Sequence, residues 1–140
     1  MSITKSHIGT SGWNYKHWRG SFYPRSLTQK EWLEYYSQRF RSVEINNSFY
    51  QLPRRQTLET WRDTVPEDFQ FAVKASRYIT HMKKLKDPEE PVDRFLSRIT
   101  ALGDCLGPIL FQLPPNWHFD AGRFRSFLEI LPPHHQIGRA

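Results

Sequence analysis

The chain reads as an α/β protein on two observations. Strand-like runs alternate with helix-like runs from one end to the other, joined by short links punctuated with Gly and Pro. Within each strand-like run, one side of the chain is uniformly apolar and the other turns polar toward the C-terminal end. Alternation of this kind joins parallel strands through right-handed crossovers. With 140 residues the chain has room for a single domain, residues 1–140.

The elements follow in order. A first strand runs over His7 to Ser11, and Gly12 turns it into a loop rich in aromatics: Trp13, Tyr15, Trp18, Phe22 and Tyr23. Thr28 and Glu31 form a Thr-x-x-Glu capping box, after which Trp32, Tyr35, Tyr36 and Phe40 recur at helical spacing. A second strand covers Val43 to Asn46. The helix around Gln56 to Asp63 follows it, burying Leu58 and Trp61 before Pro66 stops it. Phe69 to Lys74 is the third strand. Asp87 is the expected N-cap of the third helix, with Pro88 at its first position and Glu89 and Glu90 in its first turn. Val92, Phe95, Leu96, Ile99 and Leu102 give that helix one buried face, Cys105 sits late in it as a small buried hydrophobe, and Gly107-Pro108 closes it. The fourth strand is Ile109 to Leu113. The fourth helix starts at Asp120, buries Phe124, Phe127, Leu128 and Leu131, and ends at Pro132-Pro133, leaving no room for a further element.

The parity of the strands separates two α/β architectures. Val43 and Ile45 oppose Glu44 and Asn46; Phe69, Phe71 and Val73 oppose Gln70, Ala72 and Lys74; Ile109, Phe111 and Leu113 oppose Leu110 and Gln112. A sheet covered by helices on both faces would be apolar on both parities. A barrel packs one parity on its helices and gathers polar ends of the other into a mouth. The expectation is therefore a TIM-barrel-like (β/α)8 fold. A complete one takes about 250 residues, so this chain holds about the first four βα units, a half-barrel. Exposed edges of such a half invite pairing with a second copy.

Charge points to partners. Twenty Lys and Arg against fourteen Asp and Glu leave +6, and residues 1–60 hold nine basic and four acidic side chains. A basic run of Lys74, Arg77, Lys83, Lys84 and Lys86 contains no acid. Phosphorylated small molecules or nucleic acid are the partners such charge steers, while a merely solvated surface is the plain alternative. No apolar run reaches the ~20 residues of a membrane helix, and the N-terminal residues lack the apolar core of a secretory signal. With a lone cysteine, Cys105, this predicts a cytosolic protein without an internal disulfide.

The chemistry-bearing residues lie at predicted strand ends. Glu44, on an otherwise apolar strand, needs a cation or a proton. Lys74 is its expected partner, with Asn46 and Gln112 completing a polar cluster. Two roles are open: a general acid/base carboxylate with Lys74 and His81 near the substrate's charge, or a structural ion pair inside the barrel. Trp13, Tyr15 and Trp18 line the mouth or cover the core, and if exposed are placed to stack bases or sugar rings; Tyr50 is a further ligand-binding candidate. Gly9-Thr10-Ser11-Gly12 lacks the further residues of a nucleotide loop, and the six histidines form no local metal motif. No cofactor is named by these residues.

Four stretches carry a family resemblance: Ile8-Gly9-Thr10-Ser11-Gly12-Trp13 with Tyr15, Trp18, Gly20, Phe22, Tyr23 and Pro24; Val43-Glu44-Ile45-Asn46-Asn47-Ser48-Phe49-Tyr50 with Leu52-Pro53; Phe71-Ala72-Val73-Lys74-Ala75 with Thr80-His81; and Leu106 to Pro115. Together they resemble the domain of unknown function 72 family, also called YecE-like, over residues 7 to 133. The resemblance implies a TIM-barrel-like fold with the motif residues at one mouth, and no established reaction. It also implies a further segment, an acidic-aromatic strand followed by an Arg-His pair and a Trp, just after Pro133. The sequence instead reads His134-His135-Gln136-Ile137-Gly138-Arg139-Ala140, which makes a truncated product the expectation. Function then divides three ways: an enzyme acting on an anionic substrate, a nucleic-acid binding module without catalysis, or an inactive remnant.

Overall fold

The computed structural model describes residues 5–133 and, as backbone, residues 137–139. Five strands lie in one parallel sheet in sequential order: β1 (Gly9–Ser11), β2 (Ser42–Ile45), β3 (Gln70–Lys74), β4 (Leu106–Phe111) and β5 (Ile137–Arg139). Between them stand α1 (Trp32–Ser37), α2 (Arg55–Thr64), α3 (Glu89–Ile99) and α4 (Ala121–Glu129). The mixed α/β class is as expected.

Burial follows the predicted parity. Val43, Ile45, Phe71, Val73, Ile109 and Phe111 are buried in one cluster with Leu58, Val92, Phe95, Ile99 and Phe127 from the helices. Glu44, Ala72, Lys74 and Leu110, on the other parity, remain partly exposed. Helices thus cover one face of the sheet, where alternate apolar side chains leave water, and the polar-ended parity stays open. Gly9 allows the close approach of β1 to β2, since a Cβ there would lie 2.0 Å from the Ser42 carbonyl oxygen.

Four local expectations are corrected. β4 starts at Leu106 rather than Ile109, and Gly107-Pro108 lies inside it. Phe71 pairs with Leu106 and Val73 with Ile109, so two steps on β3 face three on β4. That extra residue is a bulge, which accommodates the missing N–H of Pro108. Asp87 does not cap α3: it adopts φ 42°, ending a turn in which Lys84 and Leu85 are also left-handed, and Pro88 takes the cap position. Cys105 is buried as expected but ends a 3₁₀ segment, Thr100–Cys105, beyond α3. Finally, β5 extends the sheet beyond the fourth helix, with Ile109 opposite Ile137. Three residues are too few for a periodic signal, and the unpaired edge of β4 supplies the template. The reading of His134, His135, Gln136 and Ala140 lies outside the described residues.

The other starts agree. Glu31 accepts from the Thr28 backbone N–H at 2.7 Å and from its hydroxyl at 2.8 Å, opening a 3₁₀ turn that leads into α1. The Asp120 carboxylate accepts from the Arg123 N–H at 3.0 Å at the start of α4.

Candidate functional site

Two segments build a site at the C-terminal ends of β1, β2 and β3. The first is the turn after β1. Gly12, at φ 84°, donates its N–H to the Glu44 carbonyl at 2.9 Å and turns the chain so that Trp13, Asn14 and Tyr15 face the end of β2. The Tyr15 hydroxyl donates to the Ser11 carbonyl and holds this turn closed. The second is the 3₁₀ turn Asn47–Phe49. Buried Ser48 sets its hydroxyl between the carbonyls of Ile45 (2.9 Å) and Lys74 (2.6 Å), tying the end of β2 to the end of β3. Phe49 and Tyr50 are thereby carried out above β3.

Between these segments lies an open cleft of about 340 Å³, lined by Trp13, Asn14, Tyr15, Glu44, Asn46, Asn47, Tyr50 and Trp61 among others. Glu44 Oε1 accepts from Ser11 Oγ at 3.1 Å, and the carboxylate has no second hydrogen-bond partner among the described residues. The Glu44–Lys74 pair expected from the sequence does not form. Register decides this: Glu44 stands opposite Ala72, and Lys74 lies two residues further along β3.

Lys74 belongs instead to a second cluster beside the cleft. Its Nζ lies 4.5 Å from the centre of the Phe49 ring, and the His81 ring meets the same ring edge-on at 4.9 Å. The Arg77 guanidinium lies 5.4 Å from the centre of Tyr50. Phe49 and Tyr50 touch edge to face at 4.9 Å, so three basic side chains surround one aromatic pair. None of the three forms an ion pair with a carboxylate among the described residues. His81 sits on a π-helical turn, Tyr78–Met82, where buried Thr80 places its hydroxyl 2.8 Å from His81 Nδ1. Burial, then the charges of Lys74 and Arg77, hold the imidazole below the ordinary histidine range.

Of the residues singled out from the sequence, Trp13, Tyr15, Glu44, Asn46 and Tyr50 line the cleft, and Lys74 and His81 adjoin it. Trp18 does not line it: it packs against Tyr15, Phe22 and Tyr23. Gln112 is exposed just past β4 and takes no part in it. Asn14, Asn47, Phe49, Trp61 and Arg77 were not among the candidate residues. Arg77 was visible only as a member of the basic run, and nothing in local spacing brings Trp61 from α2 to Trp13, 4.8 Å between ring centres.

A family model described as a protein of unknown function, DUF72, matches residues 7–138. The chain belongs to this family. It is 30% identical to UPF0759 protein YecE of Escherichia coli (strain K12), over an alignment covering 91% of this chain and 48% of the relative. It is 35% identical to UPF0759 protein YunF of Bacillus subtilis (strain 168), covering 78% of this chain and 40% of the relative. This DUF72 chain therefore spans about half the length of the curated relatives it matches. A crystal structure of a DUF72 family protein from Thermotoga maritima MSB8 superposes with a TM-score of 0.78 at 30% identity, covering 95% of this chain and 55% of that one. Another, from Enterococcus faecalis V583, gives 0.67 at 21% identity and shows the likeness of fold alone. Among the described residues, no helix is long and apolar enough to cross a membrane.

Proposed function

We propose that the chain forms the first half of a TIM-barrel-like fold and that the ends of β1 to β3 bind an anionic ligand, a phosphorylated molecule or nucleic acid. Strand order supports the barrel reading, since sequential parallel strands with helices on one face are what a barrel wall requires. A single observation carries the binding reading: Lys74, Arg77 and His81 converge on Phe49 and Tyr50 with no carboxylate partner among the described residues, beside a cleft that holds a carboxylate of its own. Cations kept free of internal ion pairs, at the strand ends where barrels bind ligands, are suited to accept an anion. If the site turns over its ligand, Glu44 is its general acid or base, with Lys74 neutralising developing charge.

Titration with inorganic phosphate at low ionic strength tests the binding reading. Charged hydrogen bonds of ~1.5–3 kcal/mol correspond to about tenfold or more in affinity for each cation removed. Lys74→Ala and Arg77→Ala are each expected to weaken binding by at least that factor while leaving the far-ultraviolet circular dichroism unchanged. Equal affinities for the parent and both variants would overturn the anion site.

A further inference from the structure

We infer that the ligand of this cleft is the phosphomonoester of a polyhydroxylated molecule, a sugar or polyol phosphate; this rests on the anion site proposed above. The two ends of the site make opposite demands. At the β3 end Lys74 and Arg77 offer fixed positive charge over Phe49 and Tyr50. At the β2 end Glu44 offers only acceptors, and one carboxylate oxygen has no protein partner among the described residues. An ionised carboxylate accepts from hydroxyls and repels a second phosphate. The ligand therefore carries its anion at one end and hydrogen-bond donors at the other.

The remaining walls fit the same molecule. Asn14, Asn46 and Asn47 line the cleft with amides, each both donor and acceptor, which match hydroxyls that are likewise both. Tyr15, Tyr50 and Trp61 offer aromatic rings to the C–H face of a sugar. Lys74 stands two residues beyond the partner of Glu44, roughly 6.6 Å along the sheet at strand rise, a span one monosaccharide bridges. The cleft, about 340 Å³, stands at the small end of ligand sites, which begin near ~300 Å³. A single-stranded nucleic acid tracks a cationic groove along its whole backbone, whereas here the cations stand beside a cleft whose own charged side chain is the Glu44 carboxylate.

Calorimetric titration of the chain with inorganic phosphate, ribose 5-phosphate, ribose and an oligothymidylate separates the cases. Ribose 5-phosphate is expected to bind about tenfold more tightly than inorganic phosphate, from hydrogen bonds to the charged Glu44. Glu44→Gln is expected to erase that advantage and leave phosphate affinity unchanged or tighter. Equal affinity for phosphate and ribose 5-phosphate, or an advantage that survives Glu44→Gln, would overturn the sugar-phosphate reading and leave the anion site standing. Tighter binding of oligothymidylate than of ribose 5-phosphate would overturn it in favour of nucleic acid. Failure of all four probes, with Arg77→Ala also silent, would remove the anion site itself.

Discussion

Two aromatic segments, built from the same residue types, meet opposite fates. After β1, Phe22 and Tyr23 turn inward onto Trp32, Tyr35 and Tyr36 of α1, and Trp18 packs on both of them. Tyr23 and Trp32 stack at 4.7 Å with planes 1° apart, both fully buried, and the Tyr23 hydroxyl donates to the Trp13 carbonyl at 2.5 Å. Burial pushes that hydroxyl's pKa up, and the neighbouring Tyr36 adds to it. After β2, Phe49 and Tyr50 remain accessible, Tyr50 at 64%, and beyond each other they meet the Lys74 and Arg77 cations and the His81 ring rather than a helix of aromatics. The difference lies in what each segment can cover itself with. A helix with three aromatics, Trp32, Tyr35 and Tyr36, follows the first, whereas the second is followed by a short link and the polar start of α2.

The comparison breaks most sharply under truncation. Trp32→Ala is expected to cost about 3–5 kcal/mol, a large part of a small domain's stability, whereas Tyr50→Ala changes stability by less than about 0.5 kcal/mol. Urea denaturation of both variants would show whether the two segments really differ, and equal losses would dissolve the contrast. A smaller change sharpens the first half of it: Tyr23→Phe leaves the Trp13 carbonyl unpaired in the interior, an expected loss of about 1–3 kcal/mol in the same assay. In the second segment the readout is affinity. Tyr50→Ala is expected to weaken ribose 5-phosphate several-fold in a calorimetric titration; an unchanged constant would detach Tyr50 from the ligand.

The smallest effect is a pH dependence with two opposite signs. His81 is held below its ordinary value of about 6.5 by burial first and then by Lys74 and Arg77. Below that pH the unfolded chain takes up a proton that the folded chain resists. The contribution of His81 to stability is therefore complete above pH ~6.5 and declines as pH falls toward the folded value. Protonation would at the same time add a third cation to the cluster, so sulfate, whose charge is constant there, is expected to bind better as stability falls. Chemical denaturation and sulfate titration between pH ~7 and ~5, with His81→Asn flattening both trends, check the pair. Glu31 acts separately. Its carboxyl is lowered by the Thr28 N–H and then the Thr28 hydroxyl, so its contribution is present above the ordinary glutamate value and lost only in stronger acid.

Much of this was legible from residue order. The period-two parity of Val43-Glu44-Ile45 and Phe71-Ala72-Val73 predicted which face the helices cover, because the pleat alternates side chains whatever the rest of the chain does. Asp120 and the Thr28–Glu31 pair were readable because capping acts across three residues. The partner of Glu44 was not. Parity places Glu44 and Lys74 on one face, but only the register of β2 on β3 decides how far apart they stand, and register depends on two strands separated by a helix. The bulge that admits Pro108 and the short pairing of β5 are likewise properties of neighbouring strands.

By itself the sequence determined the α/β class, the order of the first four strand–helix units, the apolar parity and the family, since each is written in local periodicity or in contiguous motifs. Tertiary structure alone decided that Lys74 faces Phe49 instead of Glu44, that Arg77 joins it over Tyr50, and that Trp61 closes the cleft against Trp13. Those contacts join residues far apart in the chain or outside regular periodicity, and packing of the whole core, rather than any local preference, sets where such side chains meet.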